Sequence, residues 1–562
     1  MKIRGISLEL TVKSIHHQTS MNTTPLLTKQ EPPRWLKILV ISLLILGIFF
    51  RFAHLGHKVY WVDAAFTSLA ISGHTIDEAQ QEIMSYEDVI SIATLDKFQQ
   101  INPDRGLKST LNYLINSEPQ LPPLYCVIAR FWASIFGDSM AVLRSLSAAI
   151  SLLMFPAVYW LCLELFESHL VAWLAMALVA ISPLELFFAQ AARSYGLWMV
   201  MILLTSAALW RSLHKNTPAS WAIYGLTLTL GLYTNFLTGL VAIAHGIYVL
   251  VQQSFHFSQI VRRYLLTSFI AILLFLPWII VLLTHLETAI LLTGWTSLTI
   301  NTPIDLITIY LNRISRVFFD INLTSESLDS AKYFMEGVPS YNFYTISSVM
   351  MSLGLIIFLI FLFKDKSVKN QALFLVVIAS VCSLSLLLAD LLLGGNRSIV
   401  FRYHLPFYLC LQIAVAYVLI HYIFVDKTWQ NKIAQTLLIV LVIFGISSDV
   451  AFFQAKDWLP TNGRIITQAT QVINESASPL LLYGENLYEM GLLLTLSHSL
   501  EPKVSLLSVH PEQPLNLPTG YSHIFYCGRD DSLLQKIQQD NRYSLKSLNG
   551  FGDLWQINKV HT

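Results

Sequence analysis

A single acidic residue, Asp63, lies in the stretch VYWVDAAFTSL among apolar, aromatic and small hydroxyl side chains. A carboxylate in such a place is suited to general-base chemistry, in which it takes a proton from a reacting hydroxyl. Alternatively, Asp63 caps the helix predicted by AAFTSLAISG, because aspartate is a favoured N-cap residue. A cap explains the residue type but not the aromatic surroundings, and burying an unpaired carboxylate is costly. We therefore interpret Asp63 as a functional carboxylate.

Basic and hydrogen-bonding side chains collect at the predicted ends of apolar segments elsewhere in the chain. The candidates for binding a phosphate group are Arg144, Arg193, Tyr195, Asn235, Arg397, Arg402 and Tyr403. Arginine suits this task because its planar guanidinium matches the oxygens of a phosphate. Each candidate also has an ordinary interpretation: the arginines as anchors at the lipid surface, the tyrosines as an interfacial belt, and Asn235 as a turn residue. Taken together with Asp63, the set predicts a pocket for an anionic lipid substrate.

The composition indicates which kind of scaffold positions these residues. Of 562 residues, 54% are hydrophobic and 13% are charged, whereas a soluble chain is about 25% charged. Apolar runs of about 20 residues recur along the sequence, so the chain is predicted to be a polytopic helical membrane protein. The net charge of +1 gives no indication of nucleic acid binding, and the five cysteines form no disulfide or metal pattern.

About eleven transmembrane helices are predicted from these runs. They are 36–54, 141–163, 168–188, 195–213, 219–234, 236–253, 264–283, 345–363, 371–393, 403–424 and 433–449. A further apolar piece at 122–137 is short and begins with a Pro-Pro pair. If this piece does not cross, the connections rich in Lys and Arg all fall in the cytoplasm. It is therefore predicted to lie along the outer surface or to re-enter.

This topology places the amino terminus in the cytoplasm and the carboxyl terminus outside. Short β-like runs such as PLLLYG and HIFYCG alternate with helical ones near the carboxyl end, which predicts a small α/β domain on the outer face. The predicted domains are a cytoplasmic basic tail at 1–34, a transmembrane domain at 35–449 with outer loops 55–140 and 284–344, and an exoplasmic domain at 450–562. The fold class is thus an all-α polytopic membrane protein with a small α/β domain.

Several motifs resemble, in their order, those of membrane glycosyltransferases with the GT-C fold. They are YWVDAAFTSL, QLPPLYCVIARFWASIFGDSMAVLRSLSA, AISPLELFFAQAARSYGLW, LYTNF, LPW and FRYHLP. The chain is most similar to the protein O-mannosyltransferase and aminoarabinose-transferase-like group, glycosyltransferase family 39, over about 35–450. This resemblance implies a polyprenyl-phosphate sugar donor and a site on the periplasmic or luminal side. It also implies that Asp63 is the catalytic Asp, and that Arg193 and the pair Arg402-Tyr403 match family motifs.

The chain departs from the family pattern at several polar positions. Ala64 replaces a usual Glu, Ala191-Ala192 replaces Glu-Ala, and Asn235-Phe236 replaces His-Tyr, while Gln120-Leu121 precedes the Pro-Pro pair in place of an acidic or His residue. Because divalent metals require several such ligands, no bound metal is predicted, and a divalent metal is the less favoured alternative. The same departures leave two alternatives open: a catalytically degenerate family member, or a protein that binds or transports lipid without chemistry.

The function predicted is transfer of a sugar from a polyprenyl-phosphate donor to an acceptor hydroxyl on a lipid, protein or glycan. Asp63 acts as general base, and the arginines stabilise the charge that develops on the leaving phosphate. The protein is predicted to reside in the plasma (inner) membrane and to have no nucleic acid partner. The domain at 450–562 is assigned a role in guiding the acceptor by analogy of fold alone.

Overall fold

The computed structural model describes residues 31–297, 303–321, 366–424, 429–458, 463–510, 513–528, 530–548 and 554–560, with isolated positions between 352 and 360. Within this part of the chain, helices predominate. The segment predicted as the first outer loop contains the helices Val62–Ser72, Ile76–Met84, Leu107–Asn116 and Leu124–Phe136, with a 3-10 helix at Ile92–Phe98. The helices Leu286–Thr293 and Pro303–Ser315 lie in the predicted loop 284–344, and Gly463–Glu475, Leu487–Ser497 and Asp531–Gln539 lie in the carboxyl-terminal region.

Seven helical segments among the described residues are long and apolar enough to cross a membrane. They are Arg34–Phe52, Met140–Phe166, Tyr195–Lys215, Gln259–Thr284, Lys366–Leu393, Phe401–Phe424 and Trp429–Gln454. An eighth candidate is the pair His169–Ala180 and Pro183–Ala189, which is bent by 63° at its break. Pro183 explains the break, because proline disfavours helical geometry in the residue before it. The polytopic helical class predicted from the sequence is confirmed.

Two predicted spans form helices that are shorter than the rest. Pro218–Thr234 has 17 residues and Thr238–Gln252 has 15, so they extend about 26 Å and 23 Å. Both lengths fall below the hydrocarbon thickness of about 30 Å. Within the described part of the chain, length and composition support seven or eight crossing helices, whereas about eleven were predicted for the whole sequence. The span predicted at 345–363 falls almost entirely outside the described residues.

The doubtful segment 122–137 forms the helix Leu124–Phe136, whose 13 residues are too few to cross a bilayer. One of its faces is exposed and apolar, with Phe131, Ile135 and Phe136. The opposite face is buried, and its Arg130 donates hydrogen bonds to the carbonyls of Ile71 and Arg105. These features agree with the prediction that this segment does not cross.

A six-stranded mixed sheet occupies the carboxyl-terminal region. Its strands are β1 (Ile90–Ser91), β2 (Pro479–Tyr483), β3 (Ser505–Ser508), β4 (His523–Cys527), β5 (Tyr543–Ser547) and β6 (Leu554–Lys559), in the order β1-β3-β2-β4-β6-β5. The β3-β2-β4 pairings are parallel, and the pairings at both edges are antiparallel. The α/β character predicted for this region is confirmed. The first strand, however, comes from the outer loop predicted at 55–140, so that loop and the sheet form one structure.

The Leu487–Ser497 helix of this region packs against the Val62–Ser72 helix that carries Asp63. The contact is close at Gly491, where an added Cβ atom would lie 2.9 Å from the ring of Phe66 and 2.9 Å from Cγ1 of Val62. The sheet region therefore supports the helix on which the candidate carboxylate lies.

Replacing Gly491 with valine is expected to destabilise the protein by about 1–3 kcal/mol, because the new side chain overpacks this contact. Thermal unfolding in detergent, followed by circular dichroism, measures the change. Gly239→Val is the matched control, since an added Cβ atom at this helical glycine meets nothing within 4 Å. Equal effects of the two substitutions would contradict the close packing of the two helices.

Candidate active site

Asp63 lies in the first turn of the Val62–Ser72 helix, directly after Trp61. The residue at the N-cap position is Trp61, and no side chain caps this helix, so the capping interpretation of Asp63 is wrong. Instead, its Oδ2 atom lies 3.8 Å from Nη1 of Arg402. A carboxylate in the first helical turn is also favoured by the helix dipole. The side chain remains 25% exposed, which leaves it accessible to a reacting group.

Aromatic rings surround the guanidinium of Arg402. Its Cζ atom lies 5.5–5.8 Å from the centres of four rings, those of Trp61, Tyr195, Trp295 and Tyr403. Cations over aromatic faces are held by the ring quadrupole, most strongly where water is excluded. The Nε atom of Arg402 is buried with no hydrogen-bond partner among the described residues. The site thus holds a positive charge in an apolar setting, where a donor group remains available to an anion.

Arg193 lies beside this pair but is engaged by another carboxylate. Its Nη2 atom is 3.1 Å from Oε1 of Glu118, and its Nη1 atom donates to the hydroxyl of Thr67 at 3.3 Å. Tyr113 donates to the second oxygen of Glu118 at 3.0 Å. Burial opposes the charge of Arg193, but Glu118 and Asp63 raise the pKa of its guanidinium well above the ordinary value. Arg193 is therefore a fixed cation within electrostatic reach of Asp63.

Sequence reasoning missed Glu118. The family pattern has an acidic or His residue directly before the Pro-Pro pair, where this chain has Gln120-Leu121. The signal was nonetheless present, because Glu118 lies two residues before Gln120 and is buried. A buried glutamate requires a partner, and the nearby motif arginine supplies it. Trp61 and Trp295 were also not assigned to the site.

Glu118→Gln is expected to cost about 3–5 kcal/mol of stability, because it leaves the buried Arg193 without a counter-charge. The double variant Glu118→Gln with Arg193→Met is expected to recover part of this loss, since it removes both charges. Thermal unfolding of the detergent-solubilised protein gives both values. Glu82→Gln is the control: Glu82 pairs with Lys97 at the surface, and such pairs contribute about 0–1 kcal/mol. If the two single variants lose equal stability, the Arg193–Glu118 pair is not a buried unit.

Of the other predicted ligands, three are held by contacts within the protein. Arg144 donates to the backbone carbonyls of Leu55, Lys58 and Val59, at 2.7, 3.0 and 2.9 Å respectively. Arg397 pairs with the buried Asp390 at 3.1 Å and donates to Gly394 and Ser297. Asn235 accepts a hydrogen bond from the amide of Leu237 in a local turn. These contacts fix the chain around the site, and they do not place the three side chains with Asp63 and Arg402.

The structure thus brings together Asp63, Arg193, Tyr195, Arg402 and Tyr403 of the predicted set. Two guanidinium groups and two carboxylates, those of Asp63 and Glu118, give this site a balanced charge before any substrate binds. Among the described residues, no group of three or more His, Cys, Asp or Glu side chains is placed to hold a metal ion. The absence of a bound metal stays a prediction.

Residues 120–281 match a protein-family model described as dolichyl-phosphate-mannose-protein mannosyltransferase. The chain is also similar to the structure of ArnT from Cupriavidus metallidurans bound to undecaprenyl phosphate, at 11% identity and a TM-score of 0.51, covering 94% of this chain and 98% of that one. The structure of ArnT from the same organism in the apo state is similar at 10% identity and a TM-score of 0.51, covering 93% of this chain and 97% of that one. The apo oligosaccharyltransferase of Archaeoglobus fulgidus is similar at 10% identity with a TM-score of 0.47, covering 84% of this chain and 64% of that one. No curated protein matches the sequence.

The family match and the two ArnT structures confirm the GT-C resemblance predicted from the sequence. The family match covers the region from the segment before the Pro-Pro pair to the long Gln259–Thr284 helix. The two ArnT structures establish the fold over nearly the full length of both chains. Family match and fold together support a membrane glycosyltransferase.

Proposed function

We propose that this protein transfers a sugar from a polyprenyl-phosphate donor to an acceptor hydroxyl, with Asp63 as the general base. The observation that carries this proposal is the pairing of Asp63 with Arg402 at 3.8 Å within a ring of aromatic side chains. The pair offers one proton acceptor and one cation side by side. A displacement reaction at a sugar phosphate requires both.

In the proposed reaction, the acceptor oxygen attacks the anomeric carbon of the donor sugar. The bond between that carbon and the phosphate oxygen breaks, and its electron pair leaves with the polyprenyl phosphate. Asp63 takes the proton of the acceptor hydroxyl, which contributes about 10²–10⁴-fold to the rate. Arg402 stabilises the negative charge that develops on the leaving oxygen. Direct displacement of this kind inverts the configuration at the anomeric carbon.

The aromatic side chains around Arg402 have a defined part in this mechanism. They exclude water from the guanidinium, and a charge interaction is much stronger in a medium of low dielectric constant than in water. Arg193 stays paired with Glu118 and contributes a fixed positive field near Asp63. Tyr195 and Tyr403, whose rings lie beside Arg402, are expected to contact the phosphate or sugar.

Two lines of comparison support the donor class. The matched family model is described by its use of a dolichyl-phosphate-linked mannose, and the similar ArnT structure contains undecaprenyl phosphate. Both lipids are polyprenyl phosphates. The acceptor and the sugar are left open, since a lipid, a protein or a glycan can each present a hydroxyl group.

The sidedness of the protein is part of the proposal. Seven described helices are suited to crossing a membrane, and the Lys- and Arg-rich connections favour a cytoplasmic amino terminus. The active site and the carboxyl-terminal sheet then face the periplasmic side of the inner membrane. Protease digestion of sealed inverted vesicles is expected to spare a carboxyl-terminal tag and to remove an amino-terminal one.

The reaction itself is tested with the purified full-length protein in nanodiscs. Synthetic polyprenyl-phosphate hexoses and pentoses are supplied with mixed membrane lipids and peptides as acceptors. The expected result is release of free polyprenyl phosphate together with a labelled acceptor. If the donors bind but are never consumed by any acceptor mixture, a lipid-binding protein without chemistry replaces this proposal.

A further inference from the structure

A second polar cluster lies in the membrane region, where four segments meet. Arg51 belongs to the Arg34–Phe52 helix and Glu185 to the short Pro183–Ala189 helix. Gln412 belongs to Phe401–Phe424 and Asp449 to Trp429–Gln454. All four side chains are completely buried. Ionisable residues at such depth are rare and usually functional, and the proposed reaction uses none of these four.

Arg51 binds backbone carbonyls at the break between the helices His169–Ala180 and Pro183–Ala189. Its guanidinium donates to the carbonyls of Ala180 at 2.7 Å and of Val179 at 3.0 Å, and to Gly47 of its own helix at 3.0 Å. The last carbonyls of a helix have no partner within it, so Arg51 satisfies the end of His169–Ala180. Its hydrogen bonds therefore go to the backbone, and among the described residues none goes to a carboxylate.

Four of the five side-chain oxygen atoms of this cluster lack a hydrogen-bond partner among the described residues. Among the described residues, both carboxylate oxygens of Asp449 have no partner, and neither does Oε1 of Glu185 or Oε1 of Gln412. The one contact within the cluster is from Nε2 of Gln412 to the other oxygen of Glu185, at 3.2 Å. Buried polar atoms in proteins nearly always have a partner. Four unpartnered acceptors in one place indicate that something that donates or is positively charged binds there.

The charges of the cluster lead to the same conclusion. Arg51 and Glu185 are the charged groups that act on Asp449, so two carboxylates oppose one guanidinium. In the neighbouring segment 303–321, Arg316 pairs with Asp320, and the Asp320 amide donates to Ser448 beside Asp449. The buried Arg313 of the same segment acts on His404 and Tyr408 and is not among the charged groups that act on Asp449. With both acids ionised, the cluster carries a net charge of −1 in a buried setting, which is strongly unfavourable.

We propose that this cluster binds one monovalent positive charge, either a proton or a sodium ion, between Asp449, Glu185 and Gln412. One such charge makes the cluster neutral, whereas a divalent ion would leave an excess positive charge. The available atoms are all carboxylate or amide oxygens, the ligands that hard cations prefer. A broken membrane helix beside buried carboxylates is also an arrangement that binds ions in other membrane proteins. The proposal does not depend on glycosyl transfer.

The experiment compares the full-length wild-type protein with Asp449→Asn and Glu185→Gln, each of which removes one negative charge. Thermal unfolding in detergent is measured in sodium chloride against choline chloride at equal ionic strength, and over a range of pH in choline. Infrared difference spectra of the same samples report the C=O band of a protonated carboxyl group. Glu164→Gln is the control, since Glu164 pairs with Arg211 outside the cluster.

If sodium binds, it raises the melting temperature of the wild type and of Glu164→Gln by about 2 °C or more, and both cluster variants lose this response. If a proton binds, the wild type in choline shows two features: an infrared band of a protonated carboxyl group, and a melting temperature that depends on pH. The band is then absent from Asp449→Asn or from Glu185→Gln. Either pattern supports the proposal. A wild type that shows neither a sodium response nor a protonated carboxyl overturns it, as does a response that persists in both cluster variants.

Discussion

Replacing Asp63 with asparagine is expected to lower sugar transfer by about 10²–10⁴-fold, the usual contribution of a general base. Asparagine has nearly the same shape but cannot accept the acceptor proton. The loss should fall on kcat, because Asp63 reacts with the acceptor and does not hold the donor. Binding of the donor is expected to stay the same or to tighten, since a negative charge near its phosphate is removed. Transfer kinetics and a separate donor-binding assay measure the two effects.

Asp77→Asn provides the matched control for this variant. Asp77 lies in the first turn of the neighbouring Ile76–Met84 helix and is exposed. Its charge is therefore solvated, and solvent and salt screen its effect on the site. The rate of sugar transfer by this variant should stay within about twofold of the wild type. Asp63→Asn with full activity would show that another group takes the proton. If both variants expressed well and only donor binding changed, the carboxylate would have a binding role.

The substitution Arg402→Gln is expected to lower kcat by about 10²–10³-fold, the cost of removing one preorganised group that stabilises developing charge. Arg402→Lys keeps a positive charge but loses the planar guanidinium that lies among Trp61, Trp295 and the two tyrosines. Lysine and arginine are not equivalent at a stacked site, so this variant should also lose most of its activity. The measurement is release of polyprenyl phosphate at saturating donor.

Arg211→Gln is the control for the arginine variants, because Arg211 pairs with Glu164 near the other end of Tyr195–Lys215. It should retain wild-type kcat. A leaving group with a lower pKa needs less stabilisation, so donors with an activated phosphate should partly rescue Arg402→Gln and should not rescue Asp63→Asn. The opposite pattern of rescue would exchange the roles assigned to the two residues.

The transmembrane scaffold was predictable because hydrophobic runs and the positions of Lys and Arg are properties of the sequence itself. The number of crossing helices was less predictable. Runs such as 219–234 and 236–253 are apolar, but their helices have only 17 and 15 residues. The two-residue strand at Ile90–Ser91 could not be predicted either, because it forms only through pairing with Leu506 and Ser505.

The candidate site, too, was predictable only in part. Asp63 and Arg402 were assigned from residue type and setting, and the structure places them together. Arg144 and Arg397 have the same type and the same position near span ends, but they bind backbone carbonyls and Asp390. The sequence alone does not distinguish an arginine that faces the site from one that binds elsewhere in the protein, because the group that binds the arginine comes from a distant segment. Glu118 was missed for the same reason: its partner Arg193 is 75 residues away.

The pairing of β1 with β3 has a consequence for the order in which the protein is made. The outer segment leaves the ribosome early, but the groups it binds come much later; the Tyr483 hydroxyl and the Ile83 carbonyl that it contacts are 400 residues apart. Until the Leu487–Ser497 helix has been synthesised, the Asp63 helix lacks the surface that packs against it. Chains that stop before Gly491 are therefore expected to leave the ring of Phe66 uncovered.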